Sequence, residues 1–486
     1  MGIDEEQSAE ICSLSRAEPA FCAIDACLLP EINGDRLIYT MSPSYTLSWL
    51  CSFWLGLLLI PVVSAQTPAN QSPITLAIVG GQVVDGTGAQ PISDGIVMIA
   101  GDRIAAVGHA GAIAIPKGAK IIQAGGMTVM PGLIDMHVHL CLIGHADEDH
   151  FVRIYGDREE REIMPASAHQ YLMNGVTSVR DVGAPIEIVK VRDRINRGEL
   201  VGARLFVAGP LLQRHPDDGL KGWSWTVTGS EDARAKVRQL IAAGVDWIKV
   251  HDQSDFSDEE LEAITQEAAK AHKPVAGHGY SSDAEVLRAI KYHFKTLEHP
   301  GLGTAYDYSP EVIHKVIDTD TCIDPTSTRR TIFQDTEQFP SRLHDAIAAK
   351  YLPADLYESL ETSLADYLHL PNADHERRWS KNLARKLEPF VKAGACIVAG
   401  TDSGEPELIQ GASTWYELRN FVRFGMTPLE AITAATSRPG HLLAPDIGAL
   451  LPGYHADVIM VKGDVVADIN LLQNPAHIIK DGVQYK

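Results

Sequence analysis

With 486 residues and 45% hydrophobic content, the chain has apolar material for a barrel-sized core plus a small satellite, which excludes disorder for most of its length. A formal charge of −21 excludes a nucleic-acid backbone or an anionic membrane surface as partner, because both would repel it. A small molecule is the ligand to expect.

In chain order, the first element is the apolar run 47–63, which ends in Val63-Ser64-Ala65. It falls short of a comfortable membrane span of ~20 residues, while Pro61 and the small residues that follow suit cleavage by a signal peptidase. Residues 41–65 therefore read as a secretory signal peptide starting at Met41, with 1–40 as a non-native extension and a secreted or periplasmic protein as the result. An uncleaved signal anchor is the alternative; after cleavage no stable membrane span would remain. Four of the seven cysteines (Cys12, Cys22, Cys27 and Cys51) lie in this part. The others, Cys141, Cys322 and Cys396, are far apart and display neither a disulfide framework nor a CxxC metal site.

Residues 66–73 form a polar linker. From 74 to 130 short Ile- and Val-rich runs (74–79, 96–100, 103–107 and 120–123) alternate with Gly and Asp turn signals, the pattern of a small sheet domain. The same style returns from 444 to 486, so both chain ends are expected to build one β-sandwich. Between them, over 131–443, apolar runs alternate with helical patterns, which predicts repeated βα units around a parallel sheet. Candidate strands are 133–137, 177–180, 205–208, 245–250, 274–278, 296–298, 321–323 and 396–399, enough for an α/β fold of the (β/α)8 TIM-type. Ser257 and Glu260 form a capping box at the start of one crossover helix. Residues 325–394 exceed what one crossover needs and read as a helical insertion, either a lid or a contact in a homo-oligomer.

The sharpest local feature is Pro131-Gly-Leu-Ile-Asp-Met-His137-Val-His139. Side chains two apart share one face of a strand, so His137 and His139 point inward together and can grip one cation. His278 and His299 each end a predicted strand. One histidine there is usually a structural hydrogen-bonder, but two on successive strands complement the first pair where barrel active sites sit. Asp402, in Gly400-Thr-Asp-Ser-Gly, ends the last strand. There it suits proton transfer from an activated water to a leaving nitrogen, rather than merely shaping a turn. Lys249 ends the fourth strand, and as an ammonium it cannot bind a cation. His251 lies on the same strand face as Lys249 and is a candidate for lining the site. Arg153, Arg158 and Arg180 are candidate partners for a substrate carboxylate, against the commoner structural or solvated roles; His145, His150 and His215 follow strand ends in loops.

Taken together, His137-Val-His139, Ile248-Lys-Val, His278-Gly-Tyr, Glu298-His299 and Gly400-Thr-Asp402-Ser-Gly resemble, in order, the metal-dependent amidohydrolase superfamily. They are most similar to its imidazolonepropionase-like branch of Xaa-Pro dipeptidases and ochratoxin-hydrolysing amidases. The resemblance spans residues 74–486 and implies a distorted barrel with a β-sandwich. It also implies two divalent metal ions, zinc by family habit, with Lys249 carbamylated (N6-carboxylysine) as their bridge. In that scheme His137, His139 and Asp402 hold one metal, His278 and His299 hold the other, and Asp402 shuttles the proton. Tyr280 matches the family's His-x-Tyr and would donate to the developing oxyanion or contact substrate.

The resulting expectation is hydrolysis of an amide or peptide-type C–N bond in a small substrate, such as a dipeptide or N-acyl amino acid. A mononuclear cyclic-amide hydrolase or deaminase, or a lactonase, is the rival within the superfamily. Deaminases of this type resemble His-x-x-Glu, however, and the residue three after His278 is Ser281. A catalytically silent binding protein on the same fold is the rival of another class, and such proteins lose the ligands that are all present here.

Overall fold

The computed structural model describes residues 73–486 except 216–221, 280–281, 302–306, 339 and 371–372. The expectations placed on 1–72, and the role of Tyr280, lie outside the described residues.

Alternating apolar residues cut by glycine turns produce β1 (Leu76–Val83), β2 (Ile92–Ala100), β3 (Arg103–His109), β4 (Lys120–Gln123) and β5 (Met127–Pro131). The barrel strands follow: β6 (Leu133–Val138), β7 (Val176–Asp181), β8 (Arg204–Val207), β9 (Leu211–Gln213), β10 (Ser224–Thr226), β11 (Ile248–Val250), β12 (Val275–His278), β13 (Thr296–Glu298) and β14 (Cys322–Asp324). The chain closes with β15 (Val458–Lys462), β16 (Pro475–Lys480) and β17 (Val483–Gln484).

Strands from both ends share one mixed sheet, ordered β17-β16-β15-β5-β1-β2-β3, with β4 beside β1. The join is β5, a strand the sequence pattern did not reveal, which runs antiparallel to β15 from Val458 opposite Pro131 to Lys462 opposite Met127. Bulges bend β1 within its pairing to β2. The sheet curls so that Ile78, Val97, Ile104, Ile122, Val129, Val458 and Ile479 enter a single apolar cluster. Arg204 of β8 ties this sheet to the barrel through Asp457 (2.5 Å) and Asp481.

Parallel strands make two arcs, β6-β7-β8 and β10-β9-β11-β12-β13-β14. Backbone hydrogen bonds carry the ring onward between them. Asp246 N and Trp247 N both donate to Val207 O (2.7 and 3.3 Å), which links β8 to the approach to β11. Those bonds also explain why the fourth predicted strand starts only at Ile248. The eighth predicted strand, 396–399, is corrected to an extended segment with isolated parallel bridges, Ile397 to Ile323 and Ser403 to Val138. Backbone bonds still seat it between β14 and β6 (Ile323 N to Cys396 O, 2.7 Å; Met136 N to Ala399 O, 2.8 Å), and beyond it Asp402 leaves extended geometry at φ +62°. The result is a distorted α/β barrel. Among the described residues, four α-helices (Ser327–Gln338, Ala346–Tyr351, Ala354–Ser363 and Ala373–Lys392) stand between β14 and that segment. The capping box forms as expected, with Ser257 N donating to Glu260 (2.9 Å) and Glu260 N to Ser257 Oγ (3.2 Å). Among the described residues, no helix is long and apolar enough to cross a membrane.

A disulfide joins Cys322 to Cys396 across 74 residues, where sequence spacing showed none. The bridge of the 396–399 segment to β14 brings the two Cα atoms to 4.6 Å, a proximity that only the barrel creates. Closing so long a loop restricts the unfolded chain. Cys322→Ser is therefore expected to lower the unfolding free energy by about 2–4 kcal/mol, measured by urea denaturation with and without reductant; an unchanged midpoint would refute the contribution.

Candidate active site

Asp135 shows how the first motif works locally. Its buried carboxylate accepts from His137 N (3.2 Å), Thr401 N (3.1 Å), Thr401 Oγ1 (2.8 Å) and Thr414 Oγ1 (2.9 Å). The residue two before His137 thereby clamps the first strand to the segment that carries Asp402. Gly400 is needed on that segment because a Cβ there would lie 2.4 Å from both carboxylate oxygens of Asp324.

The fold brings His137, His139, Lys249, His278, His299 and Asp402 together; none is more than 7% exposed. Ring centroids are 5.4 Å apart for His137 and His139, 4.6 Å for His137 and His299, and 4.7 Å for His278 and His299. Each imidazole uses Nδ1 on the scaffold. His137 meets Glu298 (2.7 Å), His139 the carbonyl of Gly183 (2.9 Å), His278 Asp252 (3.2 Å) and His299 Thr326 Oγ1 (2.6 Å). That pattern selects Nε2 as the coordinating nitrogen in all four. Asp402 Oδ1 lies 3.3 Å from His137 Nε2 and 3.1 Å from His139 Nε2, so one cation would find three donors there. His299 (φ +64°), Asp402 (+62°), Thr326 (+45°) and Asp252 (+36°) all hold left-handed backbone. Such strain costs ~1–3 kcal/mol per residue and clusters at functional sites.

Lys249 Nζ is buried without a hydrogen-bond partner, and burial brings its amine down to about 8. An amine so poised is accessible in its neutral, nucleophilic form, the form that carbamylation requires. The donor set therefore fits divalent cations, and it fits a carbamate at their centre. Burial, reinforced by the Lys249 charge, lowers His137 and takes His278 well down; burial does the same to His299. Neutral imidazoles are what a cation needs. Burial also opposes a charge on His139, but Asp402 outweighs it and raises that group. Burial alone would raise Asp402, yet Arg329, with His137 and His139, holds its carboxyl well below the usual range.

Several surrounding groups escaped sequence reading. Glu298 orients His137 and is itself held by Arg180 (2.8 Å) and Thr296 Oγ1 (2.5 Å). Arg180, a candidate for substrate, is instead fully buried in this cluster and stacked on Trp247 at 4.4 Å. Arg158 pairs with Glu162 and Asp355, and Arg153 is exposed beside His150. His145 and His150 line a separate open cavity with Asp355, and the side chain of His215 is 81% exposed. His251 does face the site: it lies on Asp252 (3.2 Å) with its ring 4.2 Å from that of His278. The six clustered residues open onto a cavity of about 320 Å³ whose wall includes His251, Trp223, Glu148, Glu405 and Arg329.

Residues 128–484 match the model of the amidohydrolase family. The chain is 29% identical to ochratoxinase of Aspergillus niger, over 88% of this chain and 89% of that protein. Among solved structures, a Xaa-Pro dipeptidase with methionine bound in its active site aligns with a TM-score of 0.68 at 25% identity, covering 85% of this chain and 99% of that one. The A. niger ochratoxinase structure aligns at 0.66 and 26% identity, covering 86% and 96% respectively.

Proposed function

Because this chain belongs to the amidohydrolase family and is a hydrolase acting on carbon–nitrogen bonds, we propose that it cleaves the amide bond of a dipeptide or N-acyl amino acid, using two zinc ions. His137, His139 and Asp402 would hold one ion, and His278 and His299 the other, with carbamylated Lys249 between them. The observation that carries this reading is Lys249: a buried amine without a hydrogen-bond partner, lining the same cavity as the four histidines, would be accommodated as an anion between cations. Bound there, divalent ions supply Lewis acidity toward water and the scissile carbonyl.

The chain's own residues do the rest. Glu298, Gly183, Asp252 and Thr326 lock the imidazoles in one tautomer. Asp402 takes the proton of the attacking water and returns it to the leaving nitrogen, so that an amine rather than an amide anion departs. Trp223, edge-on to His139 at 5.0 Å, walls the cavity against solvent. Support for an amide rather than another substrate comes from the relatives, whose names describe a dipeptidase and an ochratoxinase. The test is elemental analysis combined with a substrate panel. About two zinc ions per chain and turnover of Xaa-Pro dipeptides or N-acyl amino acids are expected; turnover confined to lactones would reject the amidase reading.

A further inference from the structure

A second cavity, of about 490 Å³, shares no lining residue with the active site among the described residues. Its volume lies in the range of small-molecule sites, ~300–1,000 Å³. Three distant parts of the chain wall it: residues 341–346 of the insertion, the helix Thr414–Arg423, and the segment leading into β16. Asn174, also on the wall, stands just before the start of β7, whereas His137 and His139 stand at the far end of the parallel strand β6. The same helix carries Glu417, which accepts from Ser327 N (2.9 Å) and Thr328 N (2.6 Å), so this cavity and the active site are tied to one element.

The floor of the cavity is cationic. Tyr416 carries two guanidinium groups, Arg419 at 4.7 Å from its ring centroid and Arg342 at 5.3 Å, and Arg419 also stands 5.2 Å from the ring of Trp415. Stacking occupies the face of a guanidinium and leaves its edge for hydrogen bonds. Those edges are only partly used. Arg342 donates to Thr336 Oγ1 (2.7 Å) and to the carbonyl of Glu407 (2.9 Å), and Arg419 pairs with Asp335 through Nη2, but the Nε–H of each is buried with no acceptor. A buried donor without an acceptor is destabilising, and a group entering the cavity would supply one. Charge sets the sign of that group. Arg419 and Arg423 share one carboxylate, Asp335, while the counter-ion of Arg342, Glu407 at 3.6 Å, is pushed up to about 7 by burial. Asp345, the acid on the wall, spends Oδ1 on Ile347 N (2.9 Å) and Ala348 N (2.7 Å). Guanidinium is therefore in surplus here, in a chain whose net charge is −21.

We propose that this cavity is a second binding site, separate from the active centre, for a small oxyanion on a flat body: an aromatic carboxylate or an aromatic phosphate ester. The oxyanion would accept from the unspent guanidinium edges, and the flat body would lie against Trp415, Ala346 and Ala412 of the wall. A neutral sugar would find the indole and the amide of Asn474 equally well, but it would leave the surplus charge unmet.

Calorimetric titration of the metal-loaded chain with benzoate, phenyl phosphate and benzyl alcohol tests this, in wild type, Arg419→Met, Arg419→Lys and Lys249→Met. At least one of the two anions is expected to bind at one site per chain, well ahead of benzyl alcohol, and the tighter of the two identifies the acid group that the site takes. Binding should weaken roughly 10- to 150-fold in Arg419→Met, the range for one lost charge-assisted hydrogen bond, and should survive Lys249→Met. Arg419→Lys keeps a charge against Asp335 but not the planar fork, so it reports on the site even where Arg419→Met does not fold, with binding weakened several-fold. The proposal is overturned if neither anion binds, if benzyl alcohol binds as tightly, or if the binding event is removed by Lys249→Met or left unchanged by the Arg419 variants.

Discussion

On the dinuclear reading proposed above, Lys249→Met is expected to abolish metal binding at the shared site and reduce turnover by several orders of magnitude, yet to make the metal-free protein more stable. The two effects have one origin. Burial lowers the amine from 10.5 to about 8, so at pH 7 the metal-free fold holds an ammonium it disfavours, and removing that ammonium relieves about 3 kcal/mol. Methionine matches its length and fills the space without a charge. The pH dependence follows from the sign of the shift. Below about 8 the lysine is protonated in both folded and unfolded chains, and the full penalty applies. Between about 8 and 10.5 the unfolded chain binds more protons than the folded one, so the stability of metal-free wild type rises with pH through that window. The difference in unfolding free energy between Lys249→Met and wild type should therefore shrink from pH 7.5 to 10. Equilibrium denaturation of chelator-treated proteins measures it, and a variant less stable than wild type at pH 7 would contradict the assignment of the lysine as a strained, functional group.

Glu298→Leu is expected to be the most damaging substitution outside the six clustered residues. Glu298 is fully buried between the imidazole of His137 and the guanidinium of Arg180. Burial alone would raise its carboxyl, but Arg180 and Lys249 hold it well below the usual range, while burial and the Glu298 charge push the neighbouring Asp324 well up. One charged and one protonated carboxyl thus share Arg180. Removing Glu298 breaks a buried pair, at a cost of up to ~3–5 kcal/mol, and leaves the guanidinium with Asp324 at 3.6 Å, which no longer faces the Glu298 charge and becomes its weaker counter-ion. It also frees the His137 ring, which should weaken metal affinity 10- to 100-fold. The paired replacement Glu298→Leu with Arg180→Met separates these effects. Stability should largely return, because no guanidinium is left needing a buried counter-ion, while metal affinity should not, because His137 still lacks its acceptor. Recovery of both, followed by denaturation and by competition with a chelator, would show that Glu298 acts on stability alone.

Much of the centre was legible before any coordinates. His137 and His139 stand two apart in an apolar run, and alternation along a strand puts them on one face wherever the strand is placed. His278 and His299 were readable because each closes a short apolar run, and strand ends in a barrel converge on one rim, whereas Lys249 was singled out only by the family resemblance. The eighth strand was misjudged because Gly400-Thr-Asp402 looks like any strand-end turn. In space, Thr401 is held by Asp135 and Asp402 takes a left-handed backbone next to it, contacts that no local pattern signals. Arg180 misled for a related reason: nothing beside it in sequence distinguishes a guanidinium aimed at substrate from one sealed beneath the site.

By itself, then, the sequence determined the barrel and the four histidines, because period-two alternation and strand termination are local properties that survive without knowledge of neighbours; the lysine's role came from the family resemblance. Only the tertiary structure decided what those groups touch. Glu298 meets His137 across 161 residues, Arg329 meets Asp402 across 73, Glu417 caps Ser327 across 90 and Cys322 reaches Cys396 across 74. Charge pairing, capping and disulfide formation depend on distance in space, and no local pattern records which distant segment the barrel will set beside another.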